Sequence, residues 1–172
     1  LRSAECSTLI ARHEVPYRAH VPRDWPVEYD TNPPSGGVHY ATWVEYGVHR
    51  TPVDRREYVH NLEHGAVALL YRCTSADGCP SVAAALEDVL RRAKPDVVCQ
   101  GRPDATPSRL LVSPDPLLET PIAAAAWGVT LTSRCLDEEA LLAFVDEHLG
   151  HGPEENCQDG AGGTPMPAPL SP

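Results

Sequence analysis

The chain has 172 residues, enough for one domain with a full hydrophobic core. Its formal net charge is −10 and no run of Lys or Arg interrupts that acidity, which argues against nucleic acid and anionic membranes as partners. No apolar run is long enough to span a membrane.

Residues 1–30 read as an irregular N-terminal arm, 31–155 as a single globular domain and 156–172 as a flexible Gly/Pro-rich tail. In the arm, Pro16, Pro22 and Pro26 prevent any long helix. Tyr17, Trp25 and Tyr29 are expected to anchor it. Asn32-Pro33-Pro34-Ser35-Gly36-Gly37 is a rigid turn followed by a loose one, and it delivers His39 at a restrained position. A second turn over Tyr46–Pro52 leads into a helix, and His49 within it reads as a surface residue.

That helix is expected over Arg55–His64. Asp54 with Glu57 has the form of a capping box, and Gly65 suits the left-handed position that closes a helix. Val67–Tyr71 follows as a buried strand. Ser81–Ala93 is an amphipathic helix with Val82, Leu86, Val89 and Leu90 on one stripe, stopped by Pro95. Val97–Cys99, Arg109–Val112 and a longer run, Ile122–Thr132, read as strands. The step from Val67 to Cys99 is expected to be a right-handed parallel crossover. Asp137 caps a last helix reaching Leu149, with His148 at the edge of its buried stripe. The sum is an α+β (or small α/β) domain: a mixed sheet with two or three short helices, stapled by disulfides.

The chemistry concentrates in His60-Asn61-Leu62-Glu63-His64-Gly65. On a helix, residues four apart share a face with Cβ atoms about 6 Å apart. His60 and His64 can then reach one metal ion, whereas on a strand they would stand roughly 13 Å apart. Neutral imidazoles suit copper and zinc. The expected metal ligands are His39, His60 and His64, with Glu63 orienting an imidazole and Met166 or water completing the sphere. Copper is the expected ion and zinc the alternative. His60–His64 also fits the His-x-x-Glu-His pattern of inverted zinc peptidases, with Glu63 as base. Such a motif normally lies mid-helix, and Gly65 ends this one, so an enzyme is the less favoured reading. A third reading is a polar core with no metal, serving a structural or interaction domain.

Six cysteines, one lysine and 18 prolines suit an exported protein with three disulfides. The spacing leaves the pairing of Cys6, Cys73, Cys79, Cys99, Cys135 and Cys157 open. Cys73–Cys79 is expected as a local loop, Cys99–Cys135 between core elements, and Cys6–Cys157 tying the termini. The chain starts at Leu1 without a signal segment, so a mature or truncated form is expected. Its location would be periplasmic, cell-surface or secreted. Its partners would be a metal ion and another exported metal-handling protein.

The assembled pattern resembles a bacterial family known as domain of unknown function 3105. The residues that carry the resemblance are Asn32-Pro33-Pro34-Ser35-Gly36 with His39-Tyr40, Gly47 with Pro52, and His60–Gly65 with Val67 and Tyr71. Pro121, Ala126-Trp127-Gly128, Phe144 and Gly152-Pro153-Glu154 extend it to about residues 25–155. The resemblance implies an exported or membrane-anchored bacterial protein and no established activity. Its copper-associated settings favour copper over zinc. The cysteines go beyond the family pattern, so the disulfides read as a feature of this branch.

Overall fold

The computed structural model describes residues 6–162. Met166 and residues 163–172 of the expected tail lie outside them. The elements run β1 (Thr8–Arg12), β2 (Gly47–Val48), α1 (Arg55–Glu63), β3 (Val67–Tyr71), α2 (Pro80–Arg92), β4 (Leu110–Pro114), β5 (Ile122–Ala126), β6 (Val129–Ser133) and α3 (Glu138–His148). One mixed six-stranded sheet has the order β1-β6-β5-β3-β4-β2. β4 is parallel to both β3 and β2, and the β3–β5, β5–β6 and β1–β6 pairs are antiparallel. The α+β class read from the sequence holds.

Alternation along the strands sorts side chains onto two faces. Val67, Leu69 and Tyr71 of β3 join Leu86 and Val89 of α2 and Leu141, Phe144 and Val145 of α3. Ala68 and Leu70 face the other way, with Tyr58, Val59 and Leu62 of α1 and the small Ala123 and Ala125 of β5. The sheet is thus sandwiched, with α1 alone on one side.

Four expectations are corrected. The run Ile122–Thr132 is a hairpin, because Trp127-Gly128 forms a two-residue turn with Gly128 at φ +71°. Val97–Cys99 is a turn, with Val97 77% exposed; the parallel partner of β3 is β4. Thr8–Arg12, expected to be irregular, pairs along β6 as an edge strand. Tyr17 and Trp25 stay exposed. Of the three expected anchors Tyr29 holds the arm, donating to Val38 O at 3.0 Å, together with backbone bonds described below.

All six cysteines pair, and two of the expected pairings are wrong. Cys73–Cys79 closes its short loop as expected. Cys6 joins Cys135 because the β1–β6 register, Thr8 opposite Ser133, continues outward to bring those two together. Cys99 joins Cys157 because the segment after α3 returns over the 96–106 loop, where Thr106 N donates to Cys157 O at 2.8 Å.

Candidate metal centre

The site is built where α1 meets the loop before it. Asp54 caps α1 by accepting from Arg56 N at 2.9 Å. The helix stops at Glu63, with His64 as C-cap and Gly65 at φ +89°. Behind the cap, buried Arg109 donates to His64 O and makes a bidentate pair with Asp96 at 2.6 and 2.9 Å. Burial alone would raise Asp96, but the hydrogen bonds and charge of Arg109 outweigh it and hold the carboxyl below its usual value.

The loop 38–44 is clamped along the same helix. Tyr40 N donates to Arg56 O, and the Asn61 amide bonds both N and O of Val44. The arm then lies along the loop: His39 N donates to Ala19 O at 3.0 Å and Val21 N to His39 O at 2.8 Å. This parallel bridge brings His20 beside His39.

The result is four rings in contact. His60 stacks on His20 with centroids 4.7 Å apart and lies 4.9 Å from His39 and 4.4 Å from His64. His39, His60, His64 and Glu63 are all buried. The ligating atoms of His20, His39, His60 and Glu63 lie within 4.8 Å of one another, as do those of Glu63, His64 and Glu154.

Hydrogen bonds fix which nitrogen faces the centre. His39 Nδ1 lies 2.8 Å from Gly37 O, and His60 Nδ1 lies 2.7 Å from Tyr40 O. A carbonyl oxygen can only accept, so in each ring the neutral imidazole carries its proton on Nδ1. Each Nε2 therefore presents a lone pair. His39 Nε2 faces Glu63 Oε2 at 3.0 Å, and His60 Nε2 faces His64 Nε2 at 3.0 Å. A neutral His64 can meet His60 Nε2 with its own Nε2–H, but His39 Nε2 and the Glu63 carboxylate are two acceptors face to face and need a proton or a metal ion between them. Two donors bound to one ion at about 2.0–2.1 Å, at angles near 90–110°, themselves stand about 3 Å apart, the separation of His39 Nε2 and Glu63 Oε2. Imidazoles held by Nδ1–H to a carbonyl are also the usual form of metal-binding histidines. The donor set thus fits a metal ion.

His64 differs from the other two. Its Nδ1 is buried with no partner among the described residues. Burial, then the neighbouring His60, His39 and Arg109, hold its pKa down to about 3. Burial also lowers His60, outweighing the Tyr40 bond that favours the charged ring. Both rings are neutral at pH 7, the form that binds metal.

A cavity of about 250 Å³, lined by Arg18, Ala19, His20, Glu63 and Glu154, opens the cluster to solvent. Arg18 reaches Glu63 Oε1 at 3.2 Å and Glu154 Oε1 at 3.8 Å. Glu154 is fixed by its own N–H on Glu63 O at 3.0 Å. Gly152 makes that approach possible, since a Cβ there would collide with Gly65 N and Glu63 O.

The structure packs the rings of His39, His60 and His64 into one cluster, but the ligating atoms within 4.8 Å of one another divide them: His39 and His60 fall with His20 and Glu63, and His64 with Glu63 and Glu154. His49 is apart, bonded to Glu45 O, and His148 packs on Phe144 in the core. Sequence reasoning missed His20, Arg18 and Glu154. The one local signal was the stretch between Pro16 and Pro22, too short and too proline-bounded for anything but an extended run.

No curated protein and no solved structure matches the chain. The family profile that does match begins at His20 and ends at Gly160, taking in the four histidines, Glu63 and Glu154 but not Arg18. The chain belongs to the family described as protein of unknown function (DUF3105), matched over residues 20–160.

Proposed function

We propose that this is an exported copper-binding protein that holds one copper ion among His20, His39, His60 and Glu63, with His64 adjoining. The observation that carries the reading is the pair of buried rings, His39 and His60, each held by Nδ1 against a backbone carbonyl so that its Nε2 points into the cluster. Copper is preferred to zinc because, for one nitrogen and oxygen donor set, Cu²⁺ binds more tightly than Zn²⁺. Three disulfides support an oxidising compartment, where the partner would be another exported metal-handling protein. The solvent cavity at His20 suits exchange of the ion with such a partner.

Zinc hydrolysis is the weaker reading. It needs Glu63 free as a base beside zinc on His60 and His64, yet the Glu63 carboxylate sits 3.0 Å from His39 Nε2 and 3.2 Å from Arg18.

The test uses protein purified without a histidine tag. Trp43 lies 5.0 Å from the His60 ring and Trp127 6.2 Å from the His39 ring, so bound Cu(II) should quench their fluorescence. His60→Ala and His39→Ala should weaken copper binding by more than the 10–100-fold typical of losing a supporting partner. Binding as tight as wild type in both variants would refute the reading and leave a polar knot that ties the arm to α1.

A further inference from the structure

The mouth of the cluster holds donors that an inner ion does not use. His64 Nε2 lies 3.6 Å from Glu154 Oε2. Glu63 Oε2 faces His39 and His20, while its other oxygen, Oε1, faces Arg18. Glu63 and His64 are buried, so two of these three groups are already stripped of water. Between the two carboxylates stands a guanidinium, which marks a point of negative potential strong enough to hold a cation. Arginine cannot give up its proton, so it can leave only by swinging away. Its side chain is 46% exposed and borders the 250 Å³ cavity.

We propose that Glu63 Oε1, His64 Nε2 and Glu154 Oε2 form a second, outer metal position, whose ion would displace the Arg18 guanidinium from the two carboxylates. The proposal rests on the inner histidine site taking its own ion, with Glu63 as the bridge. A carboxylate bridging two ions holds them about 3.5–4 Å apart. Two carboxylates and one imidazole are harder donors than the inner set and select Cu(II) or Zn(II) over Cu(I). The inner ion repels the outer one and Arg18 must be displaced, so the outer step is the weaker of the two.

Cu(II) titration of tag-free, metal-stripped protein by calorimetry, with bound copper counted by elemental analysis, tests this. Wild type should take up two ions per chain in two steps. At two equivalents the paramagnetic resonance signal should broaden through coupling of the ions. Glu154→Gln should keep the first step and lose the second. Arg18→Ala should keep the first step and tighten the second. Saturation of wild type at one ion that His60→Ala abolishes would overturn the outer position and leave the inner reading standing. Two steps that survive Glu154→Gln would also overturn it. Failure of wild type to bind any copper would overturn both.

Discussion

The interior of the cluster and its mouth are built on opposite plans. His39 and His60 are buried, and backbone carbonyls hold their Nδ1 atoms. At the mouth, His20 and the side chains of Arg18 and Glu154 are each about half exposed and are set by an arm and a returning loop. The first region can hold geometry against a bound ion, because rotating His60 would leave the buried Tyr40 carbonyl unpaired and rotating His39 would break its bond to Gly37 O. The second can rearrange at little cost, because water replaces any contact it loses. Rigid ligands deep in the site and movable ones at its edge are what a protein needs to bind an ion and still release it.

The strongest way to break this contrast is to loosen the interior from behind. Asp96→Ala leaves Arg109 charged and buried beneath the C-cap of α1, with its bidentate partner gone. Removing one member of a buried pair costs about 3–5 kcal/mol. The variant should show that loss in urea unfolding with disulfides intact, and it should also bind copper poorly, since Glu63 directly precedes the same cap. A drop below about 1 kcal/mol, the scale of an exposed pair, would mean that Arg109 finds another partner and that the interior is not as rigid as its bonds imply.

That buried pair was not legible in the sequence, and the reason separates what was from what was not. Helix α1 and its end were readable because Asp54 and Gly65 act within a few residues of where they stand, although Glu57, expected to complete a capping box, accepts from the distant Arg23 and Thr42. Facing His60 and His64 followed from the helix. Cys73–Cys79 was readable for the same reason of proximity. Arg109 and Asp96 lie in different segments and meet only through tertiary packing. His20 reaches the site by a backbone bridge to His39, and nothing in Arg18-Ala19-His20 encodes that partner. Cys6–Cys135 depended on a strand pairing whose exposed residues, Leu9 and Ile10, hide the usual alternation. Gly128 inside an alternating run was a turn signal, outweighed by the apolar residues around it.

A gentler test of the interior uses acid. The unfolded chain protonates its histidines near pH 6.5, while folded His64 resists until about pH 3 and folded His60 is also shifted downward. Between those limits the unfolded state holds more protons, so the metal-free protein should lose stability as pH falls from 6.5. Above pH 6.5 both states are neutral at these positions and the contribution levels off. The slope from His64 is at most that of one proton, about 1.4 kcal/mol per pH unit. Urea midpoints at pH 7, 6 and 5 should fall in wild type and fall less in His64→Gln. Parallel profiles for the two proteins would show that His64 is not the group holding off the proton.

The smallest effect is expected at the mouth, and it sharpens the contrast most. His20 stacks on His60 and stands on an exposed arm, positioned by backbone bonds that its side chain does not make. Replacing it with alanine should leave the arm, the inner rings and Glu63 where they are. Three inner donors then remain, so copper affinity should fall by less than about tenfold, or about 1.4 kcal/mol. The rate should change in the opposite proportion. With the stacked ring gone, a chelator meets the ion directly through the cavity, and stripping by excess chelator should run faster than the affinity loss alone requires. Stopped-flow loss of tryptophan quenching measures that rate against the equilibrium titration. Were His20→Ala to abolish binding as fully as His60→Ala, the mouth would be as indispensable as the interior. The division between a fixed inner set and a movable outer one would then be wrong.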